Sequence, residues 1–412
     1  MKKYILLTLV FINAALLYTT FSSRPNSIDS YLGTSISKET LDNYIQQRME
    51  ELNIHGLSFA IINDGQVVHH NSFGYANVEQ NLPITDKTIF EGASMSKPVF
   101  AFFVMTFVEE GKLDLDRPLY EYYPHPDIAL DDHHKKITAR MVLSHQSGFP
   151  NWREDEADGQ LRIHFEPGTD YLYSGEGYQY LAMVLREIEQ TDWAGLEAIF
   201  QERVAQPLGL EHTVFIQTPY TRANKAEPYD TDGQWMDWPN SYYFLKEDGT
   251  FYAPSSIHSE PQDFSKWMLA VMNEDLLTEE SYAELLKPHS VVPSEQVSLL
   301  YTLGFFNIDL PFTDIYSHSG DNHGFDSWFA LDVEQDWGYV LFMNSDNGRA
   351  MGEDIFFYLL TGPDVNQLLI TIGVFVLTLF LFLGLGVRSL VLGRREKQPR
   401  PTLTGMPKPV IT

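Results

Sequence analysis

Ser94-Met95-Ser96-Lys97 sets an alcohol and a primary amine three residues apart at the head of an apolar helical stretch. On a helix that spacing brings both side chains to one face and within reach. An alcohol is a poor nucleophile near neutral pH and needs a base beside it. A lysine becomes such a base when an apolar setting lowers its pKa. Phe100, Phe102, Phe103, Met105 and Phe107 supply that setting, and the helix N-terminus offers backbone N–H groups to a developing anion. The same S-x-x-K spacing recurs at Ser35 and Lys38 in a polar stretch. Only Ser94 follows a hairpin and opens an apolar helix, so context singles it out.

Two further stretches can serve the same reaction. Tyr173-Ser174-Gly175 precedes a helical segment, and its phenol can accept or relay the serine proton where nearby positive charge stabilises the phenolate. His318-Ser319-Gly320 leads towards the last pair of strands. Its small residues would let a substrate lie against a strand edge.

The elements that must position these residues are legible in part. Residues 39–52 read as an amphipathic helix. Two β-prone runs flank Asn63-Asp64-Gly65 and predict a hairpin, because that turn needs positive φ. A second hairpin is expected from FDSWFALDV and GYVLFMNS around residues 334–337, followed by the helix RAMGEDIFFYLL. Between the hairpins the chain reads as helical or looped, with helices at 98–110, 139–144, 176–189, 193–206, 261–273 and 279–286. Strands at both ends of the domain would pair into one antiparallel sheet with the first and last helices on one face. The middle would form a mainly helical lobe on the other side. The expected fold class is α/β, an antiparallel sheet flanked by helices plus that lobe, with the site at their junction.

Composition bounds the rest. The 412 residues hold no Cys, which excludes disulfides, thiolate metal sites and cysteine nucleophiles. With 28 basic against 56 acidic side chains the net charge is −28, which argues against nucleic acid as a partner. The ends are nonetheless basic. Residues 388–412 carry a net +5 and Lys2 with Lys3 add +2, leaving −35 on the body between them. Residues 365–387 contain no charged side chain, and about 20 such residues span a bilayer core of roughly 30 Å. They read as a transmembrane helix. Arg388, Arg394 and Arg395 behind it place residues 388–412, a basic tail, in the cytoplasm. Residues 1–22 read as a signal peptide or an uncleaved signal anchor, 23–38 as a linker and 39–362 as the exported domain, periplasmic or extracellular.

In order along residues 39–360 stand IFEGASMSKPVFAF, VEEGKLDLDRPLYEYYP, ITARMVLSHQSGFP, YLYSGEGYQYL, QPLGLEHTVF, LGFF and HSGDNHGFDSWFALD. Together these resemble the serine β-lactamase and penicillin-binding-protein superfamily, in particular its class C-like branch of DD-peptidases, esterases and D-aminopeptidases. The resemblance implies that Ser94 is acylated, that Lys97 activates it, and that Tyr173 is the tyrosine of the Y-x-N motif. His318, Ser319 and Gly320 match the K-T-G box in its H-x-G form, and the backbone N–H groups of Ser94 and Asp321 would form the oxyanion hole.

Three positions depart from that pattern. Gly175 stands where many relatives carry Asn. His318 replaces the lysine that helps hold a substrate carboxylate. Ala253-Pro254-Ser255-Ser256 stands where relatives often have Gly-Gly. These weaken the case for penicillin hydrolysis. The reading is a membrane-anchored serine hydrolase of a small-molecule or peptide ester or amide, working without a cofactor. The alternative is a non-catalytic sensor or scaffold of the same fold. No H-E-x-x-H occurs, and His69-His70 and His133-His134 are adjacent pairs rather than metal-ligand spacings. His145 reads as part of the loop after a helix.

Overall fold

The computed structural model describes residues 26–128, 131–237, 249–294, 298–310 and 313–363. The expected leader at 1–22, the span at 365–387 and the tail at 388–412 lie outside them. No helix among the described residues is long and apolar enough to cross a membrane. The chain divides into two compact units, one made of residues 37–359 and the other of the segments flanking it. In the flanking unit β1 (Ser27–Asp29) pairs with β2 (Ser35–Ser37), and the Leu32 N–H donates to the Leu360 carbonyl at 3.1 Å. The stretch read as linker therefore holds a small hairpin.

The larger unit opens with α1 (Lys38–Glu51), capped where Ser37 Oγ accepts the Thr40 N–H at 3.0 Å. Strands β3 (Gly56–Asn63) and β4 (Gln66–Asn77) follow as the expected hairpin. Asp64 at φ 48° and Gly65 at φ 66° supply the two positive angles that its turn needs. The second expected hairpin is β12 (Phe325–Asp332) with β13 (Trp337–Met343). β13 pairs with β3, so the two ends of the domain meet in the middle of one sheet. Every residue of β3 and β13 is buried, as central strands covered on both faces require.

The sheet is larger than the sequence reading allowed. Among the described residues it is nine-stranded and antiparallel, in the order β5-β4-β3-β13-β12-β11-β10-β9-β8. β5 is Leu82–Pro83 and β8 is Ser290–Val291. Strands β9 (Leu299–Tyr301), β10 (Phe306–Leu310) and β11 (Thr313–Asn322) come from a stretch read as loop. β11, as TDIYSHSGDN, lacks a clean alternation of apolar and polar residues because its second half carries site residues instead of core residues.

Side chains of β12 show how the two faces are covered. Trp328 packs on Gly352 of α8 (Gly348–Thr361), whereas Phe329 packs on Phe264 and Trp267 of α6 (Pro261–Met272). Tyr44 of α1 stacks on Tyr358 of α8 with ring centroids 4.0 Å apart, so the first and last helices share a face as expected. On the other face α2 (Ser96–Glu109) runs through the core, with Phe100, Phe102, Phe103 and Phe107 fully buried. Around it lie α3 (Ala139–Leu143), α4 (Gly175–Ile188), α5 (Trp193–Phe200) and α7 (Glu279–Leu286). A separate two-stranded ladder, β6 (Phe90–Ala93) with β7 (Ile257–Ser259), leads into α2.

Candidate active site

Ser94 stands on the turn between β6 and α2, two residues before the helix begins. The Met95 N–H donates to the Gly92 carbonyl at 2.9 Å and the Lys97 N–H to the Ser94 carbonyl at 3.0 Å. Ala93 just before it has φ 45°, a left-handed conformation that a side chain disfavours by about 1 kcal/mol. Ser96 holds the turn closed: its hydroxyl donates to the Ala93 carbonyl at 2.6 Å and accepts the Ile257 N–H at 2.9 Å. The second serine of S-M-S-K is thus a fastener between β6 and β7.

Lys97 is fully buried, and its Nζ lies 3.0 Å from Ser94 Oγ and 3.0 Å from the Pro254 carbonyl oxygen. Among the described residues no carboxylate pairs with it, and burial alone drives its pKa well below the usual lysine range. A neutral amine can donate to Pro254 and keep its lone pair for the Ser94 proton. Nζ also sits over the Tyr173 ring, 4.5 Å from its centroid. Tyr173 comes from the loop ahead of α4, whose N-cap Ser174 accepts the Gly177 N–H and donates to the Pro150 carbonyl, both at 2.9 Å. Burial pushes the Tyr173 phenol up, and a hydrogen bond with Ser94 opposes this only in part. Tyr173 is therefore a protonated phenol beside a neutral amine.

His318, Ser319, Gly320 and Asp321 lie on β11. β10 accompanies that strand only as far as Ser317, opposite Phe306, so from His318 onward the edge away from β12 is free of β10. Gly92 and Ala93 lie across the face of the sheet at Gly320, where Ser327 of β12 donates to the Gly92 carbonyl at 2.8 Å. A side chain at Gly320 would run into the Gly92 carbonyl and come within 2.5 Å of Ser327 Oγ. Gly320 is what allows β11 to touch the strand that leads to Ser94, with Asp321 the next residue along. His318 is 2% exposed, and its ring lies 6.2 Å from that of Tyr173. Burial drives its pKa down to about 3, so it is a neutral imidazole. Ser319 pairs with Trp328 of β12, and its carbonyl faces His318 Nδ1 at 2.6 Å.

Gly175 opens α4 against Trp152. A Cβ on it would lie 2.5 Å from the indole ring. Trp152 in turn stacks on Tyr252, with centroids 5.9 Å apart. The small residue makes room for an aromatic pair beside the site.

Several site residues escaped the sequence reading. His145 lies 4.3 Å from Tyr173, ring centroid to centroid, and hydrogen-bonds Tyr301, which reaches His318. Glu91, 1% exposed, accepts from Lys225 Nζ at 2.6 Å and Asn322 Nδ2 at 2.7 Å. Asn322 Nδ2 also reaches the Ser255 carbonyl at 3.2 Å. That cluster joins β6, the end of β11 and the Pro254 loop, the three backbones around Ser94. A buried Glu three residues before the serine was the one signal in the sequence; its partners lie 134 and 231 residues away.

Residues 41–362 match the family model described as Beta-lactamase. Protein flp of Staphylococcus aureus (strain MW2) is 23% identical over 327 residues, 76% of this chain and 64% of its own length. The chain thus spans a little under two thirds of that relative. Among solved structures, the octameric penicillin-binding protein homologue from Pyrococcus abyssi is similar with a TM-score of 0.66 and 21% identity, covering 79% of this chain and 77% of its own. The D-amino acid amidase from Ochrobactrum anthropi SV3 is similar with a TM-score of 0.63 and 20% identity, covering 78% and 99%.

Proposed function

The chain belongs to the beta-lactamase family, within the serine β-lactamase and penicillin-binding-protein superfamily, and from that membership we propose that it is a serine hydrolase of esters or amides acting through Ser94. The observation that carries this reading is the 3.0 Å contact between Ser94 Oγ and the amine of a fully buried Lys97 with no carboxylate beside it among the described residues.

In this mechanism neutral Lys97 takes the Ser94 proton as Oγ adds to the substrate carbonyl carbon. The oxyanion is held by the Ser94 and Asp321 backbone N–H groups. The protonated Tyr173 phenol gives its proton to the leaving group as the carbonyl–heteroatom bond breaks, and Lys97 returns a proton to Tyr173. Water then enters by the reverse sequence and releases the acid from the acyl-enzyme. Residues 365–387 would anchor this domain to the membrane from outside, with residues 388–412 in the cytoplasm. Protease protection of the tail in sealed cells tests that placement.

The central test is hydrolysis of a nitrophenyl ester together with fluorophosphonate labelling of the full chain. Ser94→Ala is expected to abolish labelling and lower kcat/KM by ~10³-fold or more. Turnover that survives the substitution would refute the assignment.

A further inference from the structure

His145, Tyr301 and His318 form a hydrogen-bonded chain whose proton positions are fixed at both ends. At one end the Ser174 backbone N–H donates to His145 Nδ1 at 3.0 Å, so that nitrogen carries the lone pair. The proton of the neutral ring then sits on Nε2 and is donated to Tyr301 Oη at 3.1 Å. At the other end His318 Nδ1 faces the Ser319 carbonyl at 2.6 Å, a contact that requires a proton on Nδ1. His318 Nε2 is therefore an acceptor, and Tyr301 Oη donates to it at 3.2 Å. Tyr178 is a second hydrogen-bond partner of Tyr301, and because its own proton goes to the Leu143 carbonyl at 2.9 Å it could only accept. If Tyr301 turned its proton to Tyr178, two lone pairs would face each other at His318 Nε2. Complete burial opposes a second proton on either imidazole.

This wiring leaves His318 with no hydrogen to offer a substrate. Both ring nitrogens are engaged, and the ring is enclosed by Tyr173, Tyr301 and Phe306. The charge at the oxyanion end of β11 has the same sense. Asp321 is exposed there, and Asp346 accepts the Gly324 N–H close by. The Lys and Arg side chains at that end have carboxylate partners: Lys225 pairs with Glu91, and the Arg349 guanidinium meets Glu353.

We propose that the site discriminates against a free carboxylate beside the scissile bond, so that its substrates are esters or amides with a neutral or cationic group there, and that Tyr301 is the positioning residue that enforces this by occupying His318 Nε2. The proposal rests on the serine-hydrolase reading and narrows its substrate class.

The test uses two thioesters with the same benzoyl-alanyl acyl group, one of mercaptoacetic acid and one of mercaptoacetamide, with thiol release as the readout. The full chain is expected to cleave the carboxamide with a kcat/KM at least ten times that of the carboxylate. Tyr301→Phe removes the hydrogen bond that occupies the His318 Nε2 lone pair, so the ring can take up a proton there against a bound carboxylate, and the ratio should shrink threefold or more. His318→Lys, which does not depend on the variant at Tyr301 folding, should reverse the preference. Equal or faster cleavage of the carboxylate by the wild-type protein would overturn the inference, as would ratios unmoved by His318→Lys. A ratio unmoved in a Tyr301→Phe protein that still labels at Ser94 would remove Tyr301 from it. If neither thioester is cleaved and fluorophosphonate leaves Ser94 unmodified, the hydrolase reading itself fails and this inference with it.

Discussion

Lys97 has the most to lose from being charged. Its pKa is depressed by burial, so between its folded value and the ordinary lysine range the unfolded chain holds a proton that the native state lacks. Stability from this group therefore rises with pH across that window. Lys97→Met should be inactive in ester hydrolysis. Its stability relative to wild type, followed by thermal melts, should be most favourable at neutral pH and decline as pH rises. Gly175→Ala tests the neighbouring contact. The new Cβ meets the Trp152 ring, and overpacking of this kind costs typically 1–3 kcal/mol. Urea unfolding should show that loss, and a Trp152→Ala background should abolish it. The reach of Lys97 to Ser94 was legible because three residues of turn suffice for it, although Ser94 precedes the helix and does not lie on it. The roles of His145 and Tyr301 were not legible. They depend on which nitrogen or oxygen holds a proton, which only a chain of long-range contacts decides.

At the scale of elements, the site depends on how β6, β11 and the Pro254 loop are tied together. Glu91 is the tie, its carboxylate shared between Lys225 and Asn322. Glu91→Ala would take the shared carboxylate away from a half-buried ammonium and a buried amide, and removing one partner of a buried pair costs about 3 kcal/mol. We expect that loss in urea unfolding, together with a fall in kcat exceeding the change in KM. Glu91→Gln, which keeps an acceptor for Asn322, should recover part of the kcat. Hairpins were the easiest elements to foresee, since Asp64-Gly65 dictates its own turn. β9, β10 and β11 were missed for a physical reason. Their partners are one another, β8 and β12, and in β11 His318, Ser319 and Gly320 replace the apolar residues that would have marked a strand. Gly320 was expected at a strand edge, and its φ is unremarkable; the close approach of Gly92 requires it.

For the whole molecule, buried titrating groups set a pH dependence with two opposing parts. His318 and His258 fall to about 3 and about 4 through burial, so the unfolded chain binds protons that the native state refuses below pH ~6.5. Their contribution is lost as pH drops from ~6.5 towards 3, and His318→Gln should flatten that limb of the stability curve. Asp326 acts in the other direction: burial and then Asp321 raise it to about 8, so the native state binds the extra proton and stability falls as pH rises towards 8. Asp326→Asn should therefore gain on wild type between pH ~5 and 8 in thermal melts, its amide oxygen still accepting the Arg349 N–H. The antiparallel sheet with both terminal hairpins at its centre followed from the order of the strands along the chain. Its full width did not.

The oxygen that holds Lys97 in place belongs to the main chain of Pro254. Sequence drift can alter every side chain around the amine without deleting that acceptor. Descendants of this protein could therefore acquire new preferences at His318, Trp152 or Tyr301 while inheriting the reactive alcohol intact, which makes the scaffold a tolerant starting point for directed evolution of acyl transfer.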